Sequence, residues 1–191
     1  MPRPSVREVI LDTAVAELHR TGFAACSVDT ITKAAGVPKG SFYNHFKSKE
    51  ALGAEAVARY AEGSGWGDGE PADMRAVERL RHRFELMRDV VIEHEFTRGC
   101  LIGNMGAEQA DHSAVIRAQV DVSLKGWSES IGELILTGQA EGDIAAGQEP
   151  ERLGRFMLNA FEGTLMRVKV VKTTEPFEDF FGVFFDVLLC Q

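Results

Sequence analysis

Apolar residues recur at steps of three and four along almost the whole chain, the period of helices that bury one face. Val6, Val9, Ile10, Ala14 and Leu18 mark a first helix. Ser5 and Glu8 stand before and inside it in the spacing of a capping box, and Gly22 stops it. Ser27 caps a second, short helix with Val28, Ile31 and Ala35 inward, and Gly36 ends it. A third short helix is predicted from about Pro38 to His45, with Pro38 in its first turn. Ser48 caps a fourth that runs to about Glu62.

The pattern resumes beyond a glycine-rich stretch, residues 63–73. Val77, Leu80, Phe84, Met87 and Val91 share a face, as do Ile116, Val120, Leu124, Trp127, Ile131 and Leu134. Two more helices follow prolines. One, about 151–172, carries Leu153, Phe156, Ala160, Phe161, Leu165 and Val168; the other, about 176–190, carries Phe177, Phe180, Phe181, Phe184, Phe185 and Leu188. No strand run or internal repeat stands out, and an all-α fold is expected. The glycines of 63–73 superficially suggest a phosphate loop, but no strand precedes them and no lysine follows at the required place. They read as a connection between helices.

Three short helices joined by tight glycine turns, over residues 22–52, form the pattern of a helix-turn-helix unit. At about 100° per residue, Phe42 and Phe46 share one face, the one that must be buried. Gly40 and Asn44 then point away, flanked by Ser41 and Tyr43, with Lys39 at the N-terminal end. An amide, a phenol, a hydroxyl and an ammonium around a bare glycine are groups suited to base edges and phosphates in a major groove.

Charge strengthens that assignment. The 191 residues carry a formal net charge of −8, yet residues 1–60 sum to +2 and the remainder to −10. A basic first third on an acidic body points to the N-terminal part as the one that meets a polyanion. The three cysteines, Cys26, Cys100 and Cys190, are far apart, which argues against a disulfide scaffold or a structural zinc site. Apolar runs are far shorter than a membrane span, and the first residues lack the apolar run of a signal peptide. A cytoplasmic chain without membrane contact is expected.

Gly22-Phe23, Ser27 to Ile31, Ala35-Gly36-Val37, Lys39 to Phe46 and Lys49 to Leu52, taken in order, resemble the TetR family of bacterial transcriptional regulators. The resemblance covers about residues 5–55; Pro38 departs from it, since many members have Ser or Thr there. It implies a helix-turn-helix DNA-binding domain over 1–52, with helix 48–62 as the link. It also implies a helical ligand-binding and dimerisation domain over 53–191. Lys39, Gly40, Ser41, Tyr43 and Asn44 would face a palindromic double-stranded operator; Ser27, Tyr43, His45 and Lys49 would hold phosphates. The last two long helices would pair with their mates in a homodimer. The two adjacent apolar stripes of the final helix fit this, and Phe156, Phe177, Phe180, Phe181, Phe184 and Leu188 are the expected interface.

A small-molecule inducer inside the acidic body is the expected signal. Inward stripes and the apolar segment 100–107 nominate Cys100, Asn104, Met105, Trp127 and Phe161 as its lining. Cys100 follows Arg98-Gly99 at a helix start, so an electrophile- or redox-sensing role is an alternative, with plain packing the stronger reading. A small-molecule module docking a partner protein is a further alternative. Glu108 and His112, four apart, would make only half a metal site. No cofactor is indicated, and no nucleophile–base pair suggests an enzyme.

Overall fold

A computed structural model describes residues 4–64 and 74–189. Among them are nine α-helices and no strand. They are α1 (Val6–Thr21), α2 (Val28–Ala34), α3 (Lys39–Tyr43), α4 (Lys49–Gly63), α5 (Ala76–Glu93), α6 (Leu101–Gln109), α7 (Ala114–Glu141), α8 (Pro150–Val171) and α9 (Glu175–Val183). The glycine connection, from residue 65 to 73, and Cys190 lie outside the described residues.

The described chain divides into two compact units. One holds the residues up to Ser64 together with Cys100–Ser123; the other holds 74–99 together with 124–189. The segment 100–123 lies well past the end of the family-like motif, yet it packs with the N-terminal helices.

In the first unit, caps set the helix ends. The Ser5, Ser27 and Ser48 hydroxyls accept the N–H groups of Glu8, Thr30 and Ala51. The predicted capping box forms only in half, because the Glu8 carboxylate turns to Arg7 and Arg59. Ile10, Ala14 and Leu18 of α1, Ile31 of α2, Phe42 of α3, and Leu52 and Val57 of α4 form a core that excludes water. Ion pairs Arg7–Glu55 and Arg59–Glu8 tie α1 to α4 at the edge of that core. Gly53 lets α4 pass close beneath its neighbours: a Cβ there would stand 2.9 Å from the Phe23 ring, 3.2 Å from Ile116 and 3.3 Å from the Met105 methyl.

The second unit is built on aromatic contacts. The Phe84 and Phe161 ring centroids are 4.7 Å apart, Phe161 and Phe180 4.9 Å, and Phe84 and Phe180 5.1 Å. α7 and α8 cross through glycine, since a Cβ on Gly154 would stand 2.7 Å from the Ser128 carbonyl oxygen. The last predicted helix, 176–190, does not run through as one α-helix. α9 gives way to a π-helical turn over Phe184–Leu188, closed by the Leu189 N–H donating to the Phe184 carbonyl at 2.9 Å. An i→i+5 turn is wider than 3.6 residues, so the inward position passes to Leu189, 1% exposed, while Leu188 is 39% exposed.

Candidate nucleic-acid interface

The predicted third helix is shorter than its spacing suggests. Pro38 is extended (φ −60°, ψ 142°) and stands as the N-cap, and the regular turn ends at Tyr43. The Phe46 N–H still donates to the Phe42 carbonyl at 2.9 Å, so helical phase continues one turn past the last helical residue. Phe42 and Phe46 are both buried. Between and before them, Lys39, Gly40, Tyr43, Asn44 and His45 are exposed and Ser41 is half-buried. Tyr43 is 63% exposed, and its ring meets Phe42 edge-on at 5.0 Å. A large aromatic side chain is thus propped outward on the core.

Gly40 adds a second observation. It sits inside α3, and a Cβ built on it would meet nothing within 4 Å. Glycine inside a helix costs about 0.5–1 kcal/mol relative to alanine, and packing within the chain gives no reason for that cost. Close approach of another molecule's surface does give one.

Charges around this face are partly committed. Lys33 pairs with Asp29 at 2.8 Å, which holds the Asp29 carboxyl below its ordinary range, chiefly through the hydrogen bond. The Lys49 ammonium is bound within the chain: it donates to the Phe23 carbonyl at 2.5 Å and lies 4.1 Å from the centre of the Phe23 ring. It is therefore placed differently from Lys39, which the structure leaves on the surface. Ser27 is exposed, with its hydroxyl capping α2 at Thr30. Arg7, not singled out by sequence, lies 5.2 Å over the Phe46 ring beside this face.

Cys100, Asn104 and Met105 pack in the first unit, whereas Trp127 and Phe161 belong to the second. Phe161 is fully buried among Phe84, Phe177 and Phe180. A cavity of about 710 Å³ lies between α7 and α8, lined by Lys125, Ser128, Gly132, Leu136, Pro150 and Arg155 among others. None of the five nominated residues lines it. Cys100 is the N-cap of α6 and only 2% exposed. Cys26 is also buried, and burial pushes its thiol pKa up. Glu108 does not sit with His112 as half a metal site; both its oxygens accept backbone N–H groups of Phe23 and Ala24.

The expected interface residues fall into two sets. Phe177, Phe180, Phe181 and Phe184 are covered by their own chain, because the second apolar stripe of the last helix is satisfied within the aromatic core. Phe156 and Leu188 are exposed, in company with Met166, Val170, Val183 and Val187. These exposed apolar side chains lie on α8, α9 and the turn after it.

Comparison with known proteins gives the same picture over both parts of the chain. A family profile described as "Bacterial regulatory proteins, tetR family" matches residues 10–56. One described as "Tetracyclin repressor-like, C-terminal domain" matches residues 76–184. The chain is 32% identical to the HTH-type transcriptional repressor DhaR of Mycobacterium sp. (strain GP1), over 99% of this chain and 95% of that one. It is 29% identical to the transcriptional regulator AcuR of Cereibacter sphaeroides, over 92% and 81%. Among solved structures, a regulatory protein TetR from Rhodobacter sphaeroides superimposes with a TM-score of 0.83 at 27% identity, covering 95% of this chain and 97% of that one.

Proposed function

Because this chain belongs to the TetR family and is a DNA-binding transcriptional regulator, we propose that it is a homodimeric repressor released from a palindromic operator by a small molecule. The observation that carries this reading is the face of α3. Lys39, Gly40, Tyr43 and Asn44 project from a segment pinned inward by Phe42 and Phe46, as side chains entering a major groove must. Ser27 and Ser48 start α2 and α4, whose backbone N–H groups suit flanking phosphates.

The dimer forms through the exposed apolar surface that includes Phe156 and Leu188. Two-fold symmetry in the protein then matches two-fold symmetry in the DNA, with reading helices one turn apart, about 34 Å. The repressor sign is supported by the relative at 32% identity that bears that name. The inducer is a small amphipathic molecule that binds one conformation of the body better than the other, since only differential affinity shifts the balance. Its working place is with the chromosome, in the cytoplasm. Burial of Cys100 favours packing over a reactive thiol.

Selection of bound duplexes from a random pool tests the reading. An inverted repeat with half-sites about one turn apart is the expected product. Enrichment of no sequence, or of a site without two-fold symmetry, would reject it.

A further inference from the structure

The turn between α1 and α2 is gripped from two sides. The two oxygens of the Glu108 carboxylate accept the Phe23 N–H at 2.7 Å and the Ala24 N–H at 2.6 Å. The Phe23 carbonyl accepts a bond from the Lys49 ammonium, which also covers the Phe23 ring. The amide, carbonyl and ring of one residue are therefore claimed by α6 and α4. Gly22 makes room for the arrangement. Its φ of +81° lies where glycine is favoured, and a Cβ there would come within 3.1 Å of a Glu108 oxygen.

This turn leads directly into the reading helices. Cys26 donates its N–H back to the Phe23 carbonyl, and the next residue, Ser27, caps α2. Ile31 of α2 and Phe42 of α3 then share the buried core. That chain of contacts is the route by which a displacement of Phe23 would reach α2 and α3. Bonds from a carboxylate to backbone N–H groups are charge-assisted and directional, so they fix the turn more firmly than neutral contacts would. Glu108 comes from α6, which also meets α4 where the Met105 methyl lies against Gly53.

We infer that Glu108 is a positioning residue for operator binding: its paired hydrogen bonds set the α1–α2 turn and so the pose of the α2–α3 reader. This rests on the reading of the α3 face given above, and deepens it by naming the residue through which α6 is felt at the DNA.

Glu108→Gln keeps the side-chain volume but removes the charge and one acceptor. Three measurements on the full chain separate positioning from general stability: amide exchange at Phe23 and Ala24 without DNA, affinity for the selected operator and for a random duplex, and the thermal midpoint. The expected result is faster exchange at those two amides with the α1 and α4 core amides unchanged. The thermal midpoint should fall by a few degrees, since the lost bond also holds the free chain together; operator affinity should fall about tenfold beyond any change in random-duplex affinity, both measured where the chain is fully folded. Unchanged operator affinity, or equal losses on both duplexes, overturns the inference alone. Failure of the wild-type chain to select any operator overturns the functional reading, and this inference with it.

Discussion

Phe46 donates its backbone N–H to the Phe42 carbonyl at 2.9 Å, and the two buried rings lie 5.6 Å apart. That pair fixes the phase of the segment between them. With both phenylalanines inward, Tyr43, Asn44 and His45 have nowhere to go but out.

Asn44→Ala is expected to leave the fold intact, since the side chain is exposed, and to relax base preference at one operator position. A bidentate amide–base contact is worth about 1–3 kcal/mol of discrimination. Affinities for operators substituted at each position check this. A uniform loss across all positions would mean that Asn44 holds backbone, not a base.

Gly40→Ala separates stability from binding. Nothing in the chain crowds a Cβ at this position, so the helix should gain about 0.5–1 kcal/mol from the better helix former. Operator affinity should fall, because the methyl group intrudes where the DNA surface comes close. Denaturant unfolding and operator titration of the same variant provide both numbers. A variant that is more stable and binds as well as wild type would remove Gly40 from the interface.

Phe156→Asp and Phe181→Asp should behave differently. Phe156 is 58% exposed, so the aspartate leaves a folded monomer and weakens the dimer. Phe181 is buried against Phe180 and Phe185, so the aspartate there buries a charge and unfolds the body. Sedimentation together with circular dichroism distinguishes the outcomes. A folded dimer in the Phe156 variant would move the interface.

Gly53→Ala should destabilise the first unit by about 1–3 kcal/mol, the cost of overpacking a close contact. Its Cβ would press on Phe23, Ile116 and Met105 together. Chemical denaturation measures the loss; an unchanged midpoint would show that the three neighbours give way freely.

Glu50 supplies a small pH dependence. Its carboxyl is held below the ordinary range, first by the Ser48 hydroxyl and then by a backbone N–H at the start of α4. A depressed folded-state pKa contributes stability above the unfolded pKa and loses it as the pH falls through the folded value. The group is mostly exposed, so the effect is modest. The thermal midpoint difference between wild type and Glu50→Gln should be present at neutral pH and vanish in acid. A difference that grows in acid would contradict the sign.

Local features of this chain were readable from sequence because local physics makes them. The serine caps, the Phe42/Phe46 spacing and the proline-led starts of α8 and α9 each act within a few residues. What escaped depends on the third dimension. Glu108 shows in sequence only a neighbour four residues on, His112, until folding brings it to Phe23, 85 positions away. The twin stripes of the last helix suggested a partner, but its own chain covers Phe177, Phe180, Phe181 and Phe184, and a wider turn moves Leu188 outward. A ligand lining drawn from inward stripes rests on periodicity, which tells that a side chain is buried and not what it is buried against. Lys49, which the resemblance implies as a phosphate contact, donates to a backbone carbonyl that no sequence pattern records.

The most direct test of the central claim is titration of the selected operator with wild type, Tyr43→Ala and Lys39→Ala at two salt concentrations. Both residues are exposed, so all three chains should fold and dimerise alike. Wild-type affinity should fall steeply with salt as phosphate contacts are screened, and Lys39→Ala should bind more weakly with a slope shallower by about one contact. Tyr43→Ala should bind more weakly at both concentrations. Operator affinity indifferent to both substitutions would show that the exposed face of α3 is not what reads the DNA.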